Sequence, residues 1–493
     1  MLVTFLSRPL ATAGFSHFMD DTPEQPSSES DLVAVILAAG MGTRMRSGRH
    51  KILHPVAGDP IISHILDAAF GAGVSRPVMV VGHQADQVKA AVGDLARYVL
   101  QEPQLGTGHA LQQAIRVLDP VPRRLLVLYG DTPLLRSATL SRMVSALGDA
   151  AIVMLSARLA NPTGYGRVVR DGDRRVRAVV EEADATQEEK GITEINSGLY
   201  CFDGPWLAAN LGRLEKSAKG EYYLTDVVGI AVAQGREVRA VEAEDPAEVM
   251  GVNDRVQLAE ADRIVRERIC RTLMLQGVTI VDPLSTYVGK EVSIGVDTVI
   301  QPGTHLRGRT IVGQRCEIGP NSVVVDSTIG DDCTLFASVV EGSEVADRVR
   351  IGPFSHLRPG TRIASDVRLG NYAEVKNSTI GEAVQMHHFS YLGDAEVGAG
   401  TNVGAGTITC NFDGKRKHRT KVGRGVFLGS DTMLRAPVEV GDGAVTGAGS
   451  VVTRDVPPGE VVFGVPARPR ESEKPRGESG RRDEGAGGEE SGG

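Results

Sequence analysis

Two sets of residues in this 493-residue chain have types and spacings that are suited to chemistry. The first lies in the sequence Ala38-Ala-Gly-Met-Gly-Thr-Arg-Met45. Gly40 and Gly42 would let backbone N–H groups approach phosphate oxygens, and Arg44 would add a positive charge. Asp131 ends a later apolar segment, where a carboxylate can hold Mg²⁺ against phosphates. The pattern indicates a nucleotide-binding loop, although it lacks the third Gly of a dinucleotide-binding motif and is not a Walker A loop.

The second set lies between residues 350 and 420, where polar segments interrupt an apolar repeat. The adjacent His387 and His388 suit the role of a base at neutral pH. Taken alone, both could be structural histidines, and with His356 their spacing approaches that of a three-histidine zinc site. The polar segments are FSHLRP at 354–359, NYAEVK at 371–376, HHFSYLGD at 387–394 and NVGAGTITCNFDG at 402–414.

Alternating strands and helices position the first set. Apolar segments typical of strands occur at 32–37, 77–81, 124–128 and 151–155. Helical patterns separate them, at 61–70, 110–117 and 137–147. This alternation predicts a Rossmann-like α/β domain with an open, mostly parallel sheet that binds ligands at the carboxyl ends of its strands.

A six-residue repeat positions the second set. From Val288 to Thr446 an aliphatic residue, often followed by Gly, recurs at this step, as in Val312-Gly313 and Ile318-Gly319. This period is typical of parallel β-helices, in which three hexapeptides form one triangular coil. We therefore predict an all-β domain of roughly eight to ten coils. A helical pattern at 256–276 predicts a linker between the two domains.

Composition limits the possible partners and compartment. The net charge of −8 gives no general case for nucleic-acid or membrane binding. The five scattered cysteines include no CxxC pair, and no apolar run is long enough for a membrane span, so a reduced cytoplasmic compartment is expected. The basic segment 415–421 is typical of a solvated loop, although it could also contact the phosphates of a ligand.

Several motifs in order resemble one family, that of the bifunctional bacterial N-acetylglucosamine-1-phosphate uridyltransferases/glucosamine-1-phosphate N-acetyltransferases. The resemblance covers about residues 31–466. It is carried by LAAGMGTRM at 37–45, Lys51, QEPQLGT at 101–107, YGD at 129–131, NPTGYG at 161–166, EINSG at 194–198, GVN at 251–253 and the β-helix segments. A left-handed β-helix, a homotrimer and Mg²⁺ dependence are implied by it, with UTP, N-acetylglucosamine-1-phosphate, acetyl-coenzyme A and glucosamine-1-phosphate as substrates.

The resemblance also implies roles in the N-terminal domain. Asp131 and Asn253 would hold the metal, while Arg44 and Lys51 would neutralise phosphates as catalytic residues. Gln101, Gly106 and Thr107 would read the uracil. The further residues implied to bind nucleotide or sugar are Leu37, Ala38, Ala39, Gly40, Tyr129, Gly130, Gly166, Glu181 and Asn196.

In the C-terminal domain the resemblance implies His388 as the catalytic base, with Glu374 and Asn411 assisting. The implied ligands of the sugar phosphate are Arg358, Lys376, Tyr391 and Asn402. Those of acetyl-coenzyme A are Ala405, Asn411, Phe412, Lys417, Ser430 and Ala448. Two positions depart from the family pattern, since His50 replaces the Pro before Lys51, and Phe412 replaces a Tyr and so lacks its hydroxyl.

The expected organisation is a disordered extension at 1–30, a nucleotidyltransferase domain at 31–255, the linker helix at 256–276, a β-helix acetyltransferase domain at 277–470 and a disordered tail at 471–493. Translation could start at Met1 or Met19. Two other interpretations stay open, namely a single-activity nucleotidyltransferase with a regulatory β-helix and a non-catalytic trimeric scaffold. The polar segments 387–394 and 410–414 argue against the first, and Asp131 with Asn253 argues against the second.

Overall fold

The computed structural model describes residues 31–217 and 220–469. The expected extension at 1–30, the choice between Met1 and Met19, and the tail at 471–493 lie outside the described residues. The chain divides into two compact units, one ending at Ile269 and the other beginning at Cys270. Each unit is described by itself. Within the described ranges, no helix is long and apolar enough to cross a bilayer.

The first unit is built on a mixed sheet, whose described residues form four parallel and four antiparallel strand pairs. Leu32–Ala38 lies near the centre, parallel to Val78–Val81 on one side and to Arg124–Tyr129 on the other. Glu194–Asp203 runs antiparallel between Arg124–Tyr129 and Ile152–Arg158. The remaining strands of this unit are Pro55–Val56, Asp59–Pro60, Arg97–Leu100, Gly166–Arg170, Val176–Val180 and Val238–Glu242.

Helices cover both faces of this sheet, because successive residues of a buried strand point to opposite sides. Ile36 packs in one apolar core with Leu140, while its neighbour Val35 packs in a second core with Leu111. The α-helices of the unit are Ile61–Gly71, Ala85–Val92, Thr107–Ile115, Ser137–Leu147, Gln187–Lys190, Gly204–Asn210 and Asp226–Ala233. Short 3-10 helices occur at Thr43–Met45, Lys51–Leu53, Gly93–Leu95, Leu211–Arg213 and Pro246–Val249. A long helix, Arg255–Leu275, follows where the sequence predicts the linker.

The second unit is a three-sided parallel β-helix. Along most of its length, each strand pairs with the third strand after it in the chain, which gives three sheets. Its first sheet comprises Thr279–Ile280, Val299–Ile300, Glu317–Ile318, Thr334–Leu335, Arg350–Ile351, Arg368–Leu369, Gln385–Met386, Asn402–Val403, Phe427–Leu428, Val445–Thr446, Val461–Phe463 and Arg468–Pro469. The second comprises Tyr287–Val288, His305–Arg307, Val323–Val325, Val339–Glu341, His356–Arg358, Ala373–Lys376, Ser390–Gly393, Ile408–Cys410, Met433–Arg435 and Val451–Val452. The third comprises Ser293–Ile294, Ile311–Val312, Thr328–Ile329, Glu344–Val345, Arg362–Ile363, Thr379–Ile380, Ala395–Val397, Thr420–Val422 and Val438–Val440.

The six-residue period follows from this geometry. Each short strand points one aliphatic residue inward, and the residue at the same position of the next coil stacks on it. Ile318 is in register with Leu335, and Leu335 is in register with Ile351. All three side chains are buried. The five cysteines all lie in the described residues and form no disulfide, and Cys316 lies one coil from Cys333.

Candidate active sites

The Gly-rich loop of the first unit sits at the carboxyl edge of the sheet. Leu32–Ala38 and Arg124–Tyr129 are adjacent and parallel, so the segments that follow them meet at the same edge. Gly42 has φ +58°, and a Cβ there would lie 2.8 Å from the Cβ of Lys51. The loop therefore needs glycine at 42, both for its left-handed backbone and for its close approach to Lys51.

Lys51 lies between the two predicted metal ligands. Its Nζ donates to Asp131 Oδ2 at 2.5 Å and to Asn253 Oδ1 at 3.1 Å. The backbone N–H of Val252 donates to the carbonyl of Asp131 at 2.8 Å, which ties the two ligand-bearing segments together. Two oxygens that are distant in sequence therefore converge on one cation.

This oxygen pair fits a Mg²⁺ ion, which prefers hard oxygen ligands and takes few of them from the protein. In the described part of the chain, no group of three or more His, Cys, Asp or Glu is placed to hold a metal ion. His356, considered as a zinc ligand from its sequence spacing, instead contacts Glu341, with Nε2 2.9 Å from Oε2. A divalent cation shared with substrate phosphates therefore suits the first unit better than a closed metal site.

His50 shows how this chain fixes the turn before Lys51 without proline. Its backbone has φ −57°, a value that proline also adopts. Its N–H, which proline would lack, donates to Gln87 Oε1 at 3.0 Å, and its Nδ1 accepts from the N–H of Ile52 at 3.4 Å. The ring is 3% exposed, and burial, helped by the charge of Lys51, lowers the pKa of His50 to about 4.

A cavity of about 480 Å³ opens beside these groups. Arg44, Tyr129, Asp131 and Asn253 line it, so it brings together four of the predicted residues. Burial, and secondarily the charge of Asp131, raises the pKa of Tyr129. The phenol therefore stays protonated at neutral pH and can act as a hydrogen-bond donor.

The predicted nucleotide-reading residues lie around the same sheet edge. Gln101 is buried and donates from Nε2 to the carbonyl of Gly106 at 2.9 Å. Thr107 Oγ1 accepts from the N–H of Leu224 at 3.2 Å. Leu37 and Tyr129 are paired in the sheet, and Gly130 donates its N–H to the carbonyl of Leu37. Ala38 ends its strand, Ala39 accepts from Gln104 Nε2 at 2.6 Å, and Gly40 begins the loop.

The predicted sugar-binding residues form a second group. Gly166 packs against the carboxylate of Glu181, since a Cβ on Gly166 would lie 3.5 Å from Glu181 Oε2. Burial raises the pKa of Glu181. Asn196 pairs in the sheet with Gly166, and its Nδ2 donates to the hydroxyl of Tyr200 at 2.8 Å.

In the β-helix, three of the four predicted sugar-phosphate residues lie on the second sheet, whereas Asn402 lies on the first. Arg358 pairs with Lys376, and Glu374 pairs with Tyr391 in the next coil. Arg358 Nη1 donates to Glu374 Oε1 at 3.0 Å. Lys417, and less strongly Arg358, lowers the pKa of Lys376. Cations held this close together indicate a site for an anion.

The two candidate bases lie at the corner between the first and second sheets. His387 and His388 are both exposed, and their ring centroids are 6.5 Å apart. Phe389 separates them from the strand Ser390–Gly393, which carries Tyr391. The corner therefore presents two imidazoles close in sequence to Tyr391, and the choice of His388 stays a prediction.

Three of the six predicted acetyl-coenzyme A residues, Ala405, Ser430 and Ala448, follow strands of the first sheet and so lie along the same corner. Ala405 and Ser430 follow strands of consecutive coils, and the N–H of Asp431 donates to the carbonyl of Ala405 at 2.6 Å. The N–H of Gly449, beside Ala448, donates to the carbonyl of Ser430 at 2.8 Å. Asn402 lies on the strand that precedes Ala405 and pairs with Phe427. In the segment at 410–421, the exposed Phe412 pairs with Lys417 through an antiparallel β-bridge of their backbones, whereas Asn411 is buried.

Comparison with known proteins gives the family. The chain is 50% identical over 431 residues to the bifunctional protein GlmU of Trichlorobacter lovleyi, a match that covers 86% of this chain and 94% of that protein. It is 48% identical over 427 residues to the bifunctional protein GlmU of a Geobacillus species, covering 86% and 93%. The chain belongs to the bifunctional protein GlmU family. The chain is also 48% identical over 440 residues to the bifunctional protein GlmU of Pelobacter propionicus, a match that covers 88% of this chain and 95% of that protein.

Models of two kinds of domain match different parts of this GlmU-family chain. Residues 34–196 match the MobA-like NTP transferase domain. Residues 419–454 match the bacterial transferase hexapeptide (six repeats), and residues 309–340 match the hexapeptide repeat of succinyl-transferase. The predicted fold class, a Rossmann-like domain followed by a left-handed hexapeptide β-helix, is therefore confirmed, and so is the predicted family.

The sequence did not single out Asp394 or Gln87. The carboxylate of Asp394 accepts from Asn411 Nδ2 at 2.6 Å, and Gln87 holds the backbone of His50. An Asp in a β-helix turn is common for structural reasons, so only its position directly after Tyr391-Leu-Gly could have drawn notice. Gln87 lies on the helix Ala85–Val92, far from His50 in sequence, and belongs to none of the motifs.

Proposed function

We propose that the chain makes UDP-N-acetylglucosamine in two steps, one in each unit. The β-helix transfers the acetyl group of acetyl-coenzyme A to the amine of glucosamine-1-phosphate. The first unit then joins the product to the uridylyl group of UTP and releases pyrophosphate. These are the two activities that family membership and the matched domains support. They replace the single-activity and scaffold interpretations.

The observation that carries the proposal for the first unit is the convergence of Asp131 and Asn253 on the ammonium of Lys51. These two residues would hold Mg²⁺, which supplies positive charge to the phosphates when it is bound. The phosphate oxygen of the sugar attacks the α-phosphorus of UTP in line with the leaving pyrophosphate. Arg44 and Lys51 neutralise phosphate oxygens, while Gln101 and Thr107 orient the base.

In the β-helix, the closely spaced cations Arg358, Lys376 and Lys417 support a site for the sugar phosphate. The amine of the bound sugar attacks the thioester carbonyl, and the coenzyme A thiolate leaves. His388 takes the proton that the amine loses. Backbone groups at the corners of Ala405 and Ser430 hold the acetyl-coenzyme A chain.

We also propose a homotrimer in the cytoplasm, where UTP and acetyl-coenzyme A are available. Phe336, Phe354, Tyr372 and Phe389 are exposed on one corner of the β-helix, and the rings of Phe354 and Tyr372 stack with centroids 5.4 Å apart. Such an exposed apolar column suits contact with another copy. Light scattering should give three times the 52.3 kDa chain mass. A monomer would contradict the trimer, and no role for nucleic acid or membrane insertion is proposed.

Two separate assays on the purified chain test the two steps. Pyrophosphate should be released from UTP and N-acetylglucosamine-1-phosphate, and this release should stop when EDTA removes Mg²⁺. Free thiol should be released from acetyl-coenzyme A and glucosamine-1-phosphate, and EDTA should not affect it. Absence of either product removes the corresponding activity.

A further inference from the structure

Asp394 joins the side chains of three consecutive coils at the proposed acetyl-transfer site. It directly follows the strand Ser390–Gly393. One carboxylate oxygen accepts from Asn377 Nδ2 at 2.6 Å, and the other accepts from Asn411 Nδ2 at 2.6 Å. Asn377 belongs to the preceding coil and Asn411 to the next, so one carboxylate holds an amide on each side.

This contact fixes the orientation of the Asn411 amide. An ionised carboxylate only accepts hydrogen bonds, so the NH₂ of Asn411 must face Asp394. Its carbonyl oxygen, Oδ1, therefore points away from Asp394. Among the described residues, no hydrogen-bond donor contacts this oxygen, which leaves it available to a ligand.

Gly393 brings this amide beside Tyr391. A Cβ on Gly393 would lie 2.2 Å from the hydroxyl oxygen of Tyr391 and 2.8 Å from Asn411 Nδ2. Both groups therefore rest against the bare Cα of Gly393. The Asn411 amide and the Tyr391 hydroxyl therefore occupy one small space at Gly393, which pairs with Lys376 in the sheet.

We propose that Asp394 is a positioning residue for acetyl transfer, an inference that rests on the proposed function of the β-helix. By holding the Asn411 NH₂ group, Asp394 turns Oδ1 of Asn411 towards the amine of glucosamine-1-phosphate. The amine carries N–H donors, so Oδ1 attracts it, whereas a reversed amide would present a second donor. Asp394 itself acts through Asn411 and does not contact the reacting atoms.

The variant Asp394→Asn tests this orientation at nearly constant shape. Asp394 has φ +51°, a left-handed conformation that Asn tolerates about as well as Asp. The introduced amide has one oxygen for two partner NH₂ groups. It therefore no longer fixes the orientation of the Asn411 amide, which can rotate so that its NH₂ and Oδ1 exchange places. We expect thiol release to fall about 10- to 100-fold in kcat/KM for glucosamine-1-phosphate, with the KM for acetyl-coenzyme A changed less and uridylyl transfer unchanged.

Matched variants separate positioning from general support of the β-helix. Asp366→Asn also lies at a positive φ, 63°, and pairs with Arg348 elsewhere on the β-helix, so it should change thiol release less than about twofold. Asn377→Ala removes the other partner of Asp394 and should cost less than about threefold. If Asn377→Ala loses as much activity as Asp394→Asn, Asp394 only stabilises the packing of neighbouring coils. That result would overturn the proposal.

A double-variant cycle gives the decisive readout. In an Asn411→Ala background, Asp394→Asn should cost less than about twofold, because its effect passes through Asn411. The same fold-loss in both backgrounds, or full activity of Asp394→Asn alone, would overturn the inference. If thermal melting or uridylyl transfer shows that Asp394→Asn does not fold, Asp394→Glu takes its place in the same cycle. If the wild-type chain releases no thiol, the proposed function itself fails.

Discussion

Replacing His50 with proline separates the shape of the turn before Lys51 from the titration of a buried histidine. The φ of −57° admits proline. The variant loses two hydrogen bonds, one from the His50 N–H to Gln87 and one from the Ile52 N–H to His50 Nδ1, each worth about 1 kcal/mol. It gains about 0.4–1 kcal/mol because proline restricts the unfolded chain. At pH 7 we therefore expect the free energy of unfolding to fall by about 1–2 kcal/mol, and uridylyl transfer to stay within about threefold.

The wild type and the His50→Pro variant should differ in how much stability they lose at acid pH. The pKa of His50 is about 4 in the folded chain, below its ordinary value of 6.5. The folded state binds fewer protons, so stability that is fully present above pH 6.5 is lost as the pH falls towards 4. Between pH 7 and pH 4.5 this loss amounts to about 2 kcal/mol. Proline does not titrate, so the His50→Pro variant should gain about 2 kcal/mol relative to the wild type over that interval.

The assay is urea unfolding followed by the fluorescence of Trp206. This residue is the only tryptophan of the chain and lies in the first unit with His50, so the signal reports that unit. The matched control is His50→Gln, which retains the backbone N–H but does not titrate. It should share the acid resistance of the proline variant. Equal losses of stability between pH 7 and 4.5 in the wild type and both variants would refute a buried, neutral His50.

Three further predictions concern the two sites. Asp131→Asn keeps an oxygen ligand but removes the charge that faces Lys51, so uridylyl transfer should fall about 10²-fold or more with acetyl transfer unchanged. His388→Ala removes the proposed base and should cut acetyl transfer about 10²-fold or more while sparing uridylyl transfer. Gly393→Ala places a methyl group 2.2 Å from the Tyr391 hydroxyl and should cut acetyl transfer about 10²-fold.

Each of these predictions has a contradicting result. Uridylyl transfer by Asp131→Asn at the wild-type rate and ordinary Mg²⁺ concentration would remove Asp131 from the metal site. Loss of both activities in His388→Ala would contradict the assignment of one activity to each unit. For Gly393→Ala the control is Gly289→Ala, where the nearest atom to the new methyl group is 3.7 Å away, and equal losses in the two variants would contradict the close fit at Gly393.

Local periodicity made most of the fold predictable. The hexapeptide step predicts inward residues such as Ile318 and Leu335, because each short strand repeats the same buried position. Pairing between distant segments was not predictable in the same way. The antiparallel strand Glu194–Asp203 and the hairpin of Gly166–Arg170 with Val176–Val180 depend on partners far apart in sequence. The helix predicted at 110–117 begins instead at Thr107, directly after Gly106.

The candidate sites divide along the same line. Motifs identified Asp131, Asn253 and Lys51 as candidates, but only the folded chain shows both oxygens on one ammonium. Asp394 ends the polar segment at 387–394, but its role was not predictable because it depends on amides from the coils before and after it. His50 departs from the family sequence, and only the structure shows that Gln87 replaces the restraint that proline would supply.

A coupled assay tests the central claim most directly. The purified chain is supplied with glucosamine-1-phosphate, UTP and Mg²⁺, with and without acetyl-coenzyme A, while free thiol and pyrophosphate are followed separately. We predict that both products form and that pyrophosphate release depends on acetyl-coenzyme A. Pyrophosphate release at the same rate without acetyl-coenzyme A, or without any thiol release, would contradict the two-step function.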